Sequence, residues 1–155
     1  MTTPAPQIRP ARPEDWPAVS GLLVELGRGV AEGTADDPTH RMHFAGHIRQ
    51  ISNVTLIAEH EGEVVGVLDM EYYQRLGDHR PQAHVNDVVV TERLRGGGIG
   101  RALIDRAEEL ARKRGCFRMA LVTSGWRADA HRFYERRGWM DFGTWFVKPL
   151  VDDEV

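Results

Sequence analysis

In the run Val88-Val89-Val90-Thr91-Glu92-Arg93-Leu94-Arg95-Gly96-Gly97-Gly98-Ile99-Gly100-Arg101-Ala102-Leu103, an apolar β-type stretch ends in a glycine-dense turn and a helical segment begins at once. That order suits the binding of phosphate oxygens. Glycines let backbone N–H groups approach an anion unobstructed, and a helix N-terminus adds unsatisfied donors and the positive end of its dipole. Spelling excludes two common nucleotide motifs. A dinucleotide fingerprint needs a third glycine where Leu103 stands, and a P-loop needs Gly-Lys-Ser/Thr where Gly100-Arg101-Ala102 stands.

Other residues with chemical potential are weaker signals. His40, His43 and His47 fall at i, i+3 and i+7 on a predicted helix, a stripe that could ligate Zn²⁺. No Cys or acid motif accompanies it, so the expectation is a solvated polar face and no metal site. Cys116 is the only cysteine, which rules out an internal disulfide, and between Gly115 and Phe117 it reads as a small buried hydrophobe. Trp16, Trp126, Trp139 and Trp145 are too dispersed to form a stacking platform.

Elements to hold these residues can be read from periodicity. Strands are predicted at Gln7–Ala11, Asn53–Glu59, Val64–Tyr73, Ala83–Val90 and Phe117–Val122, with a last strand or hairpin over Trp139–Val147. Pro13-Glu14-Asp15 starts a helix that carries Trp16, Val19, Leu22, Leu23 and Leu26 to Gly27. A second helix runs from about Asp37 to Ile51, after a glycine-rich loop over Gly27–Asp37. Ile99, Leu103, Ala107, Leu110 and Ala111 give a third helix one buried face, and Gly115 stands at its left-handed cap. A short fourth helix, Ala128–Arg137, closes at Gly138. The central β-α-β predicts a parallel pair in an otherwise antiparallel sheet.

Composition limits the function classes. At 155 residues the chain is one domain's worth, and 41% hydrophobic with 28% charged residues is ordinary for a soluble globular protein. A formal net charge of −3 gives no support to a nucleic-acid partner. No signal core and no apolar run long enough to cross a bilayer is present, so no membrane partner and a cytoplasmic location are expected. Residues 1–6 read as a mobile N-terminal segment, 7–150 as a single domain and 151–155 as an acidic tail.

Arg95-x-x-Gly98-x-Gly100 fits the Gln/Arg-x-x-Gly-x-Gly/Ala pattern of the GNAT family of N-acetyltransferases. Ala130-His131-Arg132-Phe133-Tyr134-Glu135-Arg136-Arg137-Gly138-Trp139 is similar to that family's Ala-x-x-Phe-Tyr-x-x-x-Gly-Phe signature, with Trp139 for Phe. His84-Val85-Asn86-Asp87-Val88-Val89-Val90 resembles its fourth strand. The resemblance spans nearly the whole chain. It implies an α/β GNAT (acyl-CoA N-acyltransferase) fold: a mixed, mostly antiparallel sheet of six or seven strands, splayed between the parallel fourth and fifth, flanked by about four helices. It implies acetyl-CoA as co-substrate without a metal, and an amine acceptor, expected to be a small molecule.

Site residues follow from the same resemblance. Backbone N–H groups of Arg95, Gly96, Gly97, Gly98, Ile99, Gly100 and Arg101 would hold the pyrophosphate, and the backbone of Val88, Val89 and Val90 the pantetheine amides. Tyr134 is the implied donor to the leaving thiolate. His84 is the first candidate for the base, since imidazole titrates close to neutral pH, with Asp87 and Glu71 as alternatives. Strand alternation puts His84 and Asn86 on one face and Asp87 on the other unless a bulge intervenes. Arg127 stands where relatives often carry an asparagine and receives no role. The histidine stripe borders the acceptor region of such relatives. A homodimer is common among them, with the Trp-containing C-terminal strands as an available interface. The competing reading is a non-catalytic acetyl-CoA-binding sensor or interaction module.

Overall fold

The computed structural model describes residues 4–27, 36–122, 128–143 and 146–151. Most of the predicted Gly27–Asp37 loop, with Trp126, Arg127 and Trp145, lies outside them. Two compact units make up the chain, Met1–Leu121 and Val122–Val155. The first contains β1 (Gln7–Pro10), α1 (Trp16–Leu26), α2 (Pro38–His47), β2 (Asn53–His60), β3 (Glu63–Tyr73), β4 (Gln82–Val90), α3 (Ile99–Lys113) and β5 (Met119–Leu121). Strand order is β1-β2-β3-β4-β5, antiparallel except for β4 with β5. That parallel pair follows from the α3 crossover, because only a long connection brings the chain back in the same direction.

Alternation along the strands sorts the core into two layers. Ile57, Val67 and Val89 stand in cross-strand line and pack on Trp16, Val19 and Leu22 of α1 and Phe44 of α2. The opposite face carries Leu56, Leu68 and Met70 and receives α3, whose Leu103 and Ala107 are fully buried. Gly66 makes that approach possible: a Cβ there would lie 3.2 Å from Leu103 Cδ1 and 3.3 Å from the Val89 carbonyl oxygen. Burying a leucine of this kind contributes roughly 2 kcal/mol. α3 ends as expected at Gly115 (φ 83°), where Cys116 N–H returns to Ala111 O and Gly115 N–H to Arg112 O. α2 is shorter than its apolar pattern implied. The turns Arg49 N to Gly46 O and Gln50 N to His47 O bring the chain round to Asn53 before Ile51 can join the helix.

A charged cluster ties the sheet edge to the start of α1. Arg9 Nη1 and Nη2 donate to both oxygens of Asp15 at 2.8 Å, and its Nε donates to Glu59. Arg12 N–H adds a bond of 2.7 Å to Asp15 Oδ2. Hydrogen bonding from Arg9, reinforced by the Arg12 N–H and opposed by burial, holds the Asp15 carboxyl below the usual carboxylate range. A depressed folded value contributes stability present above the unfolded pKa of about 3.9 and lost as pH falls toward the folded one. Arg9→Met leaves a buried Asp15 without its partner and is expected to lower unfolding free energy by about 3 kcal/mol at pH 7 in urea titrations. The loss should shrink below pH ~4, as Asp15 protonates in the unfolded chain.

In the second unit, α4 (Ala128–Glu135) gives way to Gly138 at φ 84°, with Trp139 N–H bonded to Tyr134 O. The predicted last strand is not seen among the described residues of Trp139–Val147. Side-chain alternation is present, but a strand also needs a ladder partner. Here Gly143 turns at φ 132° and its N–H meets Asp141 Oδ1 instead. The described sheet therefore has five strands rather than six or seven, with four helices as expected.

Candidate active site

The sheet face that packs on α1 turns from apolar to polar at the same level on three strands. Thr55, Asp69 and Asp87 follow Ile57, Val67 and Val89 in cross-strand register, and the next row is Asn53, Glu71 and His84. Tyr73 pairs with Gln82 one row farther, and Ala120 of β5 flanks His84. The rows stay aligned because β4 bulges: Asp69 pairs with Asp87 but Met70 with Val85, leaving Asn86 as the extra residue. An inserted residue reverses the alternation beyond it. Asp87 therefore shares the face of His84, and the simple-alternation expectation that separated them is corrected.

The imidazole of His84 is oriented by its neighbours. Its Nδ1 lies 2.8 Å from Asn86 Oδ1, and the Tyr73 ring stands edge-on at 6.4 Å. An amide oxygen only accepts, so with Asn86 presenting Oδ1 this contact suits an imidazole that carries a proton on Nδ1. Asn86, which cannot serve as a base, is the side chain that meets this ring nitrogen. A second network lies one row away. Asp69 Oδ1 accepts from Thr55 Oγ1 at 2.8 Å and stands 2.8 Å from His47 Nε2, while Asn53 Nδ2 reaches His47 O (3.1 Å) and Nδ1 (3.3 Å). The histidine stripe is therefore not a solvated face. His47 docks α2 on the sheet, His40 stacks on Trp16 at 6.0 Å, and His43 alone is exposed. Among the described residues no group of His, Cys, Asp and Glu is placed to hold a metal ion.

At its other end β4 offers backbone. Described pairing with β5 covers Ala83, His84 and Val85 and ends there, while β4 continues to Val90. Thr91 N–H donates to Val65 O on β3. Period-two alternation then directs the N–H and C=O of Val88 and Val90 to the opposite edge, and Arg95 Nε meets Val90 O there at 3.0 Å. After the turn Glu92–Leu94, Gly96 (φ 83°) and Gly98 (φ 90°) adopt left-handed conformations. A Cβ on Gly97 would stand a tight 3.3 Å from Leu94 O, so strain at Gly96 and Gly98 and close contact at Gly97 favour glycine in all three places. Gly98 caps α3 and Ala102 N–H is bonded back to Gly98 O, which leaves Ile99, Gly100 and Arg101 N–H as the orphan donors of the first turn.

Tyr134 belongs to the second unit, where its ring meets Phe133 (5.2 Å) and Trp139 (5.6 Å) edge-on. His84, Asp87 and Glu71 are thus brought together, whereas Tyr134 is placed within its own unit. Sequence reasoning missed the Asn86 contact with His84, the Asp69–His47 network, and the row of Tyr73 and Gln82, whose Oε1 accepts from Tyr73 Oη at 3.1 Å and from Arg118 Nε at 2.6 Å. A polar residue recurring at every second position of adjacent strands was the available signal.

Residues 16–139 match the Acetyltransferase (GNAT) family. The aminoalkylphosphonate N-acetyltransferase of Salmonella typhimurium is 32% identical over 147 residues, covering 95% of this chain and 93% of that protein. YhdJ, an uncharacterized N-acetyltransferase of Bacillus subtilis, is 37% identical over 88% of this chain and 90% of its own. A solved transcriptional regulator from Bacillus halodurans superposes with a TM-score of 0.86 at 27% identity, over 94% of this chain and 99% of that one. Among the described residues no helix is long and apolar enough to cross a membrane.

Proposed function

The chain belongs to the Acetyltransferase (GNAT) family, and from that premise we propose that it carries the acetyl group of acetyl-CoA to the amine of a small molecule by direct attack in a ternary complex. One observation supports this reading above the others: a bulged β4 has His84 and Asp87 on one face, close to where the described pairing with β5 ends, and leads into the glycine cradle. The small-molecule acceptor is supported by the relative named for aminoalkylphosphonates.

Bound acetyl-CoA would supply the thioester. The N–H groups from Arg95 to Arg101 would hold its diphosphate, where donors and helix dipole act together. The outward backbone groups of Val88 and Val90 would pair with the pantetheine amides as an added strand does. A protonated amine cannot attack, so a base must first take its proton. His84 Nε2, with Nδ1 facing Asn86 Oδ1, is assigned that task, directly or through a water. Asp87 and Glu71 share the face and stand as the alternatives. As the C–S bond breaks, the phenol of Tyr134 would protonate or hydrogen-bond the thiolate.

Calorimetry with CoA and thiol release against an amine panel test the proposal together. Binding plus turnover of at least one amine is expected. Tight binding with no turnover on any acceptor would favour the sensor, and folded protein that shows no heat with CoA would overturn both readings. Tyr134→Phe is expected to cut kcat roughly 10- to 100-fold with little change in CoA affinity, a split that assigns the hydroxyl to the chemical step.

A further inference from the structure

One row beyond His84, a buried amide fixes the direction of a hydrogen bond. Gln82 is completely buried, and its Oε1 lies 2.6 Å from Arg118 Nε and 3.1 Å from Tyr73 Oη. A guanidinium nitrogen only donates, so the amide atom that faces Arg118 is the carbonyl oxygen. That oxygen only accepts, so the Tyr73 hydroxyl gives it its single proton. A hydroxyl with its proton committed keeps two lone pairs, and toward any other group it acts as a hydrogen-bond acceptor alone.

This arrangement costs stability. Gln82 Nε2 is buried without a hydrogen-bond partner, and an orphaned donor of that kind is destabilising. An apolar residue at position 82 would avoid the defect, so packing does not account for the amide. What the amide supplies is a fixed orientation for the phenol proton.

Tyr73 stands beside the candidate base. Its direct partner on β4 is Gln82 and that of His84 on β3 is Glu71, which makes Tyr73 and His84 diagonal neighbours. Diagonal positions are roughly 7–8 Å apart, within reach of an aromatic side chain. The Tyr73 ring stands edge-on to the imidazole at 6.4 Å, and both residues are half-buried. On β5 the neighbour of His84 is Ala120, whose side chain makes no hydrogen bonds.

The geometry points to the Tyr73 hydroxyl, its proton held by Gln82, as the group that accepts one N–H of the substrate amine while another N–H faces His84. An attacking amine then has both hydrogens held and its lone pair directed to the thioester carbon. Tyr73 is thereby a specificity-determining residue: a methyl group in place of one amine hydrogen leaves a single N–H for two hydrogen-bond acceptors. This inference rests on the acetyltransferase reading above for the place of the amine.

The test is Tyr73→Phe, which keeps the ring against His84 and removes only the hydroxyl. Ethanolamine, benzylamine and putrescine are assayed, and the best of them is paired with its N-methyl counterpart. Per CoA-binding site, kcat/KM for the primary amine should fall roughly 5- to 10-fold, the scale of one hydrogen bond. The N-methyl amine, where it is turned over, should lose less than about twofold, since it has no second hydrogen to present. CoA affinity and the acid limb of the pH–rate profile should stay as in wild type. A fall of less than about twofold for the primary amine, an equal fall for both amines, or a shifted acid limb overturns the assignment. Should none of the three amines be turned over, the acetyltransferase reading loses its support, and calorimetric titration of benzylamine into CoA-saturated protein decides the role of Tyr73. Several-fold weaker binding in Tyr73→Phe supports it; equal affinity in both proteins, or no heat in wild type, overturns it.

Discussion

Gly100→Asp is expected to weaken CoA binding about 100-fold while leaving the protein at least as heat-stable as before. The two effects have opposite signs for one physical reason. Gly100 is the second residue of α3, and a Cβ there meets only Val90 Cγ2, at an ordinary 3.7 Å. Glycine inside a helix costs conformational entropy, and an acid in the first turn interacts favourably with the dipole, by about 0.3–1 kcal/mol. The same carboxylate would stand where the diphosphate is proposed to sit. A few kcal/mol of repulsion, screened by water, corresponds to two orders of magnitude in Kd. Calorimetry with CoA and a thermal scan of the same samples check both halves. Unchanged affinity would remove this helix start from the cofactor site.

His84→Ala should reduce kcat by roughly 100- to 1000-fold near neutral pH, the usual scale for a lost general base. CoA affinity should hold, because the side chain lies on the face that packs on α1, away from the strand edge proposed for the pantetheine. The acid limb of the pH–rate profile, which reports protonation of the base, should disappear. Asn86→Leu is expected to cost about 10-fold, because it removes only the amide oxygen that meets His84 Nδ1 and leaves the imidazole itself in place. Retention of the wild-type pH profile in His84→Ala would pass the role to Asp87, which the bulge has put on the same face, and Asp87→Asn would then show the larger loss.

What could be read from the chain was local. The three glycines, Ile99 and the apolar repeat of α3 prescribe a turn, a cap and an amphipathic helix within about twenty consecutive residues, and Gly115 and Gly138 end helices where their spelling requires. The parallel β4–β5 pair follows from chain order alone, because α3 separates the two strands. The expected last strand is not seen among the described residues of Trp139–Val147 for the complementary reason: the span has the alternation of a strand, while the ladder that would make it one depends on residues elsewhere.

The candidate active-site face belongs to the second kind of information. Sequence alone determined the glycine cradle, the helix behind it and the candidates His84 and Tyr134, since spacing within one element carries those. Tertiary structure decided which groups stand beside His84: Asp87 by a bulge visible only in pairing with β3, Asp69 held by a histidine 22 residues away, and Gln82 joined to an arginine 36 residues on. Periodicity repeats within a strand, but register is settled between strands, and one inserted residue exchanges every side chain beyond it from one face to the other.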